Sequence, residues 1–425
     1  MNKQVLKLAI PSILANITIP LVGIVDTAIV GHLADATAIG GIAIGTMLFD
    51  LLYWNFGFLR VSTSGLAAQA FGRGDTRECH KILSQSLLIA GTATILIWLI
   101  QWLFVTVVLS CVPCSREVAD FAREYFFIRV WAAPATLSLM ALKGWFIGMQ
   151  DTISPMVCDI VVNVVNIIAS YILAMYSSWG IMGVAYGTVI AQFTGLIVSG
   201  CILMKRYHLR PRVNRLLKSF GIDKKLFRLN SRLFVRSLCF IVIYVGFTAL
   251  ASKYGDTELA ISSIIMKLFM LFSYFMDGFA YAGEALIGRF IGENNQKSLR
   301  QALKVLLVWS VIVGGVFTLI YAVGGRECFA LMTNDLVVLE GFTPYLPWLI
   351  AMPVISALAF LFDGVFVGAT LGKDIRNAML WAVLAFVVTY GGLQAFLGIQ
   401  ALYLAYFAHL FARMMYLGCK VRYIA

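Results

Sequence analysis

Long apolar segments alternate with short polar interruptions along the whole chain. Most apolar segments hold 20 or more residues, about the length that an α-helix needs to cross the hydrocarbon core of a bilayer. Several are longer, so we expect those helices to tilt or to project from the membrane. The pattern predicts an all-α membrane protein with twelve transmembrane helices, near residues 5–30, 38–70, 82–109, 118–149, 155–177, 180–204, 229–252, 257–290, 298–323, 338–371, 376–397 and 400–419.

The composition supports a membrane protein, because 61% of the 425 residues are hydrophobic and only 13% are charged. Soluble domains carry about 25% charged residues. A net charge of +12 suggests an anionic partner, but the cations concentrate in segment 205–228 and in alternate short loops. This distribution follows the positive-inside rule, so it indicates topology and contact with anionic membrane lipid, and not nucleic-acid binding. We expect both termini in the cytoplasm.

Two short motifs recur 220 residues apart. FGRGD at Phe71 resembles IGENN at Ile291, and KGWFIG at Lys143 resembles DGVFVG at Asp363. The offset spans six helices, an even number, which predicts two six-helix lobes related by a pseudo-two-fold axis along the membrane normal. Two facing lobes favour alternating access along a path between them. The predicted domains are an N-terminal lobe, a basic cytoplasmic linker and a C-terminal lobe, at 1–204, 205–228 and 229–425.

A single carboxylate, Asp26, lies in the first apolar run. Ionisable groups at membrane depth are costly and occur mostly where they have a function or a partner. Pro20 precedes it and favours a helix kink, because proline removes one backbone hydrogen bond. Burial disfavours the charged form, so Asp26 is suited to load a proton on one side of the membrane and release it on the other. The alternative is a neutral buried acid that caps a kinked helix.

Polar residues share one face of the fifth predicted helix. Asp159, Asn163, Asn166 and Ser170 are spaced i, i+4, i+7 and i+11, and fall within about 60° of one another. Asn166 and Ser170 lie roughly 17 and 22 Å from the inner helix end, a level that Thr188 on the next helix also reaches. These residues are candidates for a shared site with Asp26. Alternatively, they only form hydrogen bonds with neighbouring helices.

Further intramembrane charges suggest ion pairs. The repeat equivalent of Arg60 is position 280, flanked by Asp277 and Glu284, so we hypothesise a charge pair across the lobe interface that selects one access state. A structural pair within one lobe is the competing interpretation. Lys143 and Asp363 are repeat equivalents of opposite charge and weaker candidates. We expect Lys143 to extend to the inner membrane surface.

The sequence contains no HExxH motif and no Ser–His set, and its one Gly-x-Gly-Asp string, at 72–75, lies in a predicted cytoplasmic loop and not at membrane depth. An enzyme is therefore not predicted, and neither is a cofactor or a metal site. Cys111 and Cys114 form a CxxC in a predicted external loop. That spacing permits either a small disulfide or two free thiols.

Four strings resemble a known family: YWNFGFLR from Tyr53, TSGLAAQA from Thr63, MDGFAYAGE from Met276 and DGVFVGA from Asp363. Over essentially the whole chain, the sequence is similar to multidrug and toxic compound extrusion (MATE) transporters of the DinF-like branch. The resemblance implies a twelve-helix exporter in which entry of H⁺ or Na⁺ drives efflux of cationic or amphipathic compounds.

The resemblance also implies a cation-linked site in the N-terminal lobe. The matching positions are Asp26, Asn166, Ser170 and Thr188. Members of the family often have an aspartate where this chain has Ser170, and the loss of that carboxylate weakens a Na⁺ site. The missing carboxylate therefore favours H⁺ as the coupling ion.

We expect a secondary active multidrug exporter in a bacterial inner membrane, working as a monomer by alternating access. Its partners would be drug-like cations, H⁺ and membrane lipid. Na⁺ coupling at Asp26 is one alternative. A lipid-precursor flippase of the same superfamily is another, for which we would expect extra helices and a more cationic central cavity. The substrate range and the favoured access state do not follow from the sequence.

Overall fold

The computed structural model describes residues 1–33, 36–112, 114–177, 179–180, 182–209, 223–333 and 335–424, without the side chains at positions 19, 21, 24–33 and 36–39. This part of the chain forms fifteen α-helices. The first eight are α1 (Asn2–Leu33), α2 (Ala36–Trp54), α3 (Phe58–Gly72), α4 (Thr76–Cys111), α5 (Arg116–Arg129), α6 (Ala133–Gly148), α7 (Ile153–Tyr176) and α8 (Met182–Arg206). The others are α9 (Lys224–Ala251), α10 (Asp256–Gly292), α11 (Gln296–Ala330), α12 (Leu336–Gly341), α13 (Leu346–Gly368), α14 (Gly372–Leu397) and α15 (Gln400–Val421).

Three of the crossings are pairs of helices joined through a short 3₁₀ turn. These turns lie between α2 and α3, between α5 and α6, and between α12 and α13. Pro134 and Pro347 occupy the first turns of α6 and α13, where a proline interrupts no intrahelical hydrogen bond. With each pair counted as one crossing, the described helices make twelve crossings, and the predicted all-α architecture is confirmed.

The outer faces of the helices are apolar. Ten helical segments among the described residues are long and apolar enough to cross a membrane. On α4, for example, the exposed side chains include Leu99, Trp102 and Leu103. A soluble monomer rarely exposes contiguous apolar surface on this scale. The chain is therefore an integral membrane protein.

Local backbone geometry repeats at the offset of 220 residues. Asp75 caps α4 and Asn295 caps α11, and each side chain accepts a hydrogen bond from the backbone N–H three residues on. These caps satisfy amides that a helix N-terminus would otherwise leave unpaired. Left-handed backbone recurs at two equivalent pairs of positions: Gly74 (φ 70°) with Asn294 (φ 53°), and Gln150 (φ 62°) with Thr370 (φ 56°).

Two equivalent glycines allow close helix packing. A Cβ atom added to Gly144 would collide with the backbone carbonyl of Arg60. A Cβ atom added to Gly364 would collide in the same way with the carbonyl of Ala280. Small residues at such crossings let helix backbones approach each other in membrane proteins. The internal repeat therefore extends to the packing within each half.

The described chain divides into two compact units. The N-terminal unit comprises residues 14–67 and 75–227, and the C-terminal unit comprises residues 1–13, 68–74 and 228–425. Helices α1 and α3 therefore contribute residues to both units. The predicted division into lobes at 1–204 and 229–425 assigns each of these helices to one lobe.

Both described ends of the predicted linker are attached to the N-terminal unit. At the beginning, the hydroxyl of Tyr207 donates to Asp151 over 2.9 Å, and Arg206 forms an ion pair with the same carboxylate over 3.1 Å. At the end, Asp223 accepts from Lys81 over 3.3 Å. Residues 210–222 lie outside the described part.

Cys111 and Cys114, in the predicted external loop, are both free thiols.

Candidate functional site

The polar face of α7 contacts α1 and α8 within the N-terminal unit. Asn163 donates its amide hydrogen to the hydroxyl of Thr18 on α1 over 2.5 Å. Asn166 donates to the hydroxyl of Thr188 on α8 over 2.9 Å. Ser170, which is fully buried, lies close to a backbone carbonyl of α8 at 3.4 Å. The structure therefore brings Asn163, Asn166, Ser170 and Thr188 into one polar region between these helices.

Asn166 retains an unused acceptor in this region. Its side chain is 4% exposed, and its Oδ1 atom has no hydrogen-bond partner in the part of the chain that the structure describes. Thr188 cannot donate to this oxygen, since its hydroxyl already donates to the carbonyl of Val184 over 3.1 Å. A buried acceptor without a donor costs free energy. The oxygen is thus suited to accept from an added O–H group or to ligate a cation.

Asp26 and Pro20 both lie on α1. The helix continues through Pro20 to Leu33. Asp26 is one of the positions whose side chains lie outside the described residues. Its proposed role therefore stays a prediction.

Asp159 has a partner that is not predicted from the sequence. Lys143 on α6 forms an ion pair with the Asp159 carboxylate, and the two side chains are 27% and 21% exposed. In the structure, Lys143 thus reaches a carboxylate within its own unit, whereas we expected it to extend to the membrane surface. The negative charge of Asp159 is compensated by this ammonium group, so Asp159 is less suited to hold a mobile cation.

A buried ionic cluster lies in the C-terminal unit around Asp363. Its Oδ2 atom accepts a hydrogen bond from Arg236 on α9 over 2.9 Å and forms an ion pair with Arg413 on α15 over 3.2 Å. Arg413 also donates to the backbone carbonyl of Ala359 over 3.2 Å. Asp363 is a candidate from the sequence, but neither arginine is predicted from it. The rule that singles out Asp26, an ionisable side chain inside an apolar helix, would also have identified them.

Aromatic rings complete the surroundings of the two arginines. Their guanidinium carbons lie 4.9 and 5.1 Å from the ring centre of Phe240, and Arg413 also stacks on Phe360 at 5.4 Å. Cation–π contacts of this kind partly replace the hydration that a buried guanidinium loses. Asp277 is within electrostatic range of Arg413. Nearby acids therefore offset the positive charge of this cluster.

The predicted pairing of Arg60 with Asp277 or Glu284 stays a prediction. Arg60 belongs to the N-terminal unit, and the two acids belong to the C-terminal unit. Glu284 is buried, with 3% of its surface exposed. Each of the three residues makes interactions in the structure, so none of them is an isolated charge.

The described residues contain no group of three or more His, Cys, Asp or Glu side chains arranged to hold a metal ion. The polar region of the N-terminal unit offers amide and hydroxyl groups, and the cluster of the C-terminal unit offers paired charges. Groups of these kinds suit hydrogen bonding, proton exchange and ion binding.

The sequence matches a known protein family and is similar to characterised relatives. A family model described as MatE matches residues 11–172 and 233–390. The chain is 34% identical over 406 residues to DNA damage-inducible protein F of Escherichia coli strain K12, across 95% of this chain and 88% of that protein. It is 25% identical over 386 residues to the chloroplastic protein DETOXIFICATION 44 of Arabidopsis thaliana, across 86% and 72% of the two chains.

Solved structures share the fold. A variant of the Vibrio cholerae MATE transporter VcmN superposes with a TM-score of 0.88 at 17% identity, covering 99% of this chain and 97% of that one. A MOP superfamily transporter from Pyrococcus furiosus superposes with a TM-score of 0.87 at 16% identity, covering 100% and 96%. At these identities, the likeness shows the fold alone.

Proposed function

Because this chain belongs to the MatE family of multidrug and toxic compound extrusion transporters, we propose that it is a secondary active exporter that exchanges H⁺ for cationic and amphipathic compounds. We place it in a bacterial inner membrane with both termini in the cytoplasm, since the basic loops and the linker alternate with loops poor in cations. We further propose that Asp26 carries the proton.

The unused Oδ1 atom of Asn166 is the observation that supports proton coupling. A protonated carboxylic acid supplies an O–H donor to this oxygen, whereas an ionised carboxylate can only accept. The protonated form of Asp26 would therefore be favoured when it meets Asn166. Release of the proton would remove that hydrogen bond and weaken the link between α1 and α7. A proton on Asp26 would thereby bias the arrangement of the two helices.

The contact between Thr18 and Asn163 gives a reference level on α1 and α7. At 1.5 Å per residue, Asp26 is about 12 Å beyond Thr18 along α1. Ser170 is about 10 Å beyond Asn163 along α7 by the same rise. In the proposed topology, both helices run outward. The proposal therefore gives Asp26 a level close to Ser170, in the outer half of the membrane and about 7 Å beyond Asn166, so that its contact with Asn166 requires a shift of α1 along α7.

The choice of H⁺ over Na⁺ follows from the available ligands. Hard cations take several oxygen ligands, among which carboxylates predominate. In the polar region, Ser170 is uncharged, and the charge of Asp159 is compensated by Lys143. Of the carboxylates proposed for this site, Asp26 alone would then remain for Na⁺, which makes a weak site. A proton needs only that one acid and one acceptor.

The test is drug efflux from proteoliposomes under an imposed pH gradient or an imposed Na⁺ gradient. We expect the pH gradient alone to drive efflux, and Asp26→Asn to reduce the rate at least tenfold. Asp120→Asn is the matched control, since that carboxylate is 71% exposed at the start of α5 and should leave the rate unchanged.

Three results would contradict the proposal in different ways. Efflux driven by Na⁺ alone would show that Na⁺, and not H⁺, is the coupling ion, while the exporter assignment would stand. Full activity of Asp26→Asn would remove the role of that acid. Lipid-precursor transport without drug efflux would favour the flippase alternative.

A further inference from the structure

The beginning of α11 carries a basic hollow on the protein surface. The hollow has a volume of about 510 Å³ and is lined by Gln296, Lys297, Arg300, Gln301 and Lys304. All five residues are exposed. Three cations and two amides form this lining, which contains no acid. Such a lining is complementary to a group that offers several negatively charged oxygen atoms, such as a phosphate.

An apolar stripe continues the same face of α11 toward its other end. The stripe consists of Val308, Val311, Ile312 and Leu319, which are 57%, 55%, 45% and 64% exposed. At 100° per residue, all four side chains point within about 60° of the direction of Lys297. The helix rises about 16 Å from Val308 to Leu319. This length is close to the ~15 Å depth of hydrocarbon in one leaflet.

The equivalent surface of α4 in the N-terminal unit is different. Lys81 pairs there with Glu78 at 3.5 Å and with Asp223 at 3.3 Å. Helix α11 has Ser298 at the position equivalent to Glu78. Among the ion pairs of the described residues, neither lysine of the hollow takes part. The charges of Lys297 and Lys304 are therefore not compensated in the way that the charge of Lys81 is on α4.

We infer that this face of α11 binds one anionic phospholipid of the cytoplasmic leaflet. The hollow holds the headgroup phosphate, and an acyl chain lies along the apolar stripe. Basic pockets at the cytoplasmic ends of transmembrane helices are suited to anionic headgroups. A soluble phosphate would satisfy the hollow but not the stripe, and the stripe is the reason for choosing a lipid. This inference depends on the proposed topology and does not depend on the transported compound.

The experiment is native mass spectrometry of the full chain in detergent, titrated with phosphatidylglycerol and, in parallel, with phosphatidylcholine. We expect one phosphatidylglycerol to bind more tightly than phosphatidylcholine. The double variant Lys297→Gln/Lys304→Gln should weaken that binding at least tenfold, because each cation near the membrane surface contributes appreciably to binding of anionic lipid. Arg77→Gln/Lys81→Gln on α4 removes the same charge and should bind as the wild type does.

Two further arms identify the source of the phosphate. Excess glycerol phosphate should not displace the lipid, and Val308→Asn/Val311→Asn should weaken lipid binding while the hollow stays intact. Circular dichroism and gel filtration would confirm that each variant is folded. Equal losses in the α4 and α11 variants, or displacement by glycerol phosphate, would overturn the inference.

Discussion

Arg413 forms an ion pair with Asp363 over 3.2 Å, and both side chains are buried, at 1% and 8% exposure. Arg236 shares the same carboxylate oxygen. A buried ion pair adds little net stability, because each charge loses its hydration when the protein folds. Removal of one partner is nevertheless strongly destabilising, since the other charge remains buried without compensation. Asp363 is the partner that both arginines share.

Asp363→Asn should therefore lower the stability of the protein by about 3 kcal/mol or more. The measurement is the thermal denaturation midpoint of the detergent-solubilised protein. Asp374→Asn is the matched control, because Asp374 pairs with Lys420, which is 39% exposed, and exposed pairs contribute little. Equal shifts of the midpoint in both variants would show that the buried Asp363 cluster contributes no more to stability than the exposed Asp374–Lys420 pair.

A second prediction concerns the Lys143–Asp159 pair. Lys143→Met and Asp159→Asn should each destabilise the N-terminal unit, because each leaves a partly buried charge without its partner. The double variant should lose less than the sum of the two single losses, with a coupling of about 1 kcal/mol. A double-mutant cycle on thermal stability gives this number. Additive losses would show that the pair is not coupled.

The repeated glycines make a third prediction. Gly144→Ala and Gly364→Ala should each destabilise the protein, because the new methyl group meets a backbone carbonyl that cannot move aside easily. Gly91→Ala is the control, since among the described residues no atom beyond the neighbouring stretch of its own helix lies within 4 Å of its Cβ position, and alanine favours a helix. Thermal midpoints should fall for the first two variants and stay level or rise for the control. Similar effects at all three positions would argue against close packing at the repeated crossings.

The sequence predicts the twelve crossings and the repeat because both depend on local signals. Apolar length indicates each crossing, and glycine or a polar cap recurs at positions such as Gly74 and Asn295. The partner of Asp159 was harder to predict. Helical periodicity shows which residues of α7 share a face. It does not show that Lys143 reaches Asp159, because that contact depends on how α6 packs against α7. Arg236 and Arg413 carry a local signal, an ionisable side chain inside an apolar helix, but that signal does not show that they share Asp363, which lies on a third helix.

Asp223 provides a prediction on pH. The backbone N–H of Lys225 donates to its carboxylate and, with the nearby Lys81, lowers the pKa of Asp223 below its ordinary value. A carboxyl group whose pKa is lowered by folding stabilises the fold above its unfolded pKa, and this contribution is lost as the pH falls through the folded pKa. The attached end of the linker should loosen below about pH 4.

Limited digestion with pepsin would measure this loosening. Cleavage of wild-type protein within 205–228 should increase between pH 5 and pH 3, relative to Asp223→Asn digested in parallel. The variant corrects for the pH dependence of pepsin itself and should be cleaved faster already at pH 5. Identical profiles would show that Asp223 does not attach the linker.

The last prediction concerns Arg60 and the acids at positions 277 and 284. If a charge pair between the lobes stabilises one access state, removal of either partner removes that stabilisation. The population of that access state should then fall. Arg60→Ala and Asp277→Ala should each reduce transport, and the double variant should retain more activity than the product of the two single effects predicts. The parallel cycle of Arg60 with Glu284 shows which acid is the partner, because only the true partner gives a coupling.

Effects that multiply in both cycles would leave Arg60 as a charge with a partner in its own unit. Thermal midpoints of the same variants separate these outcomes from unfolding, since a state-selecting pair changes transport more than it changes stability.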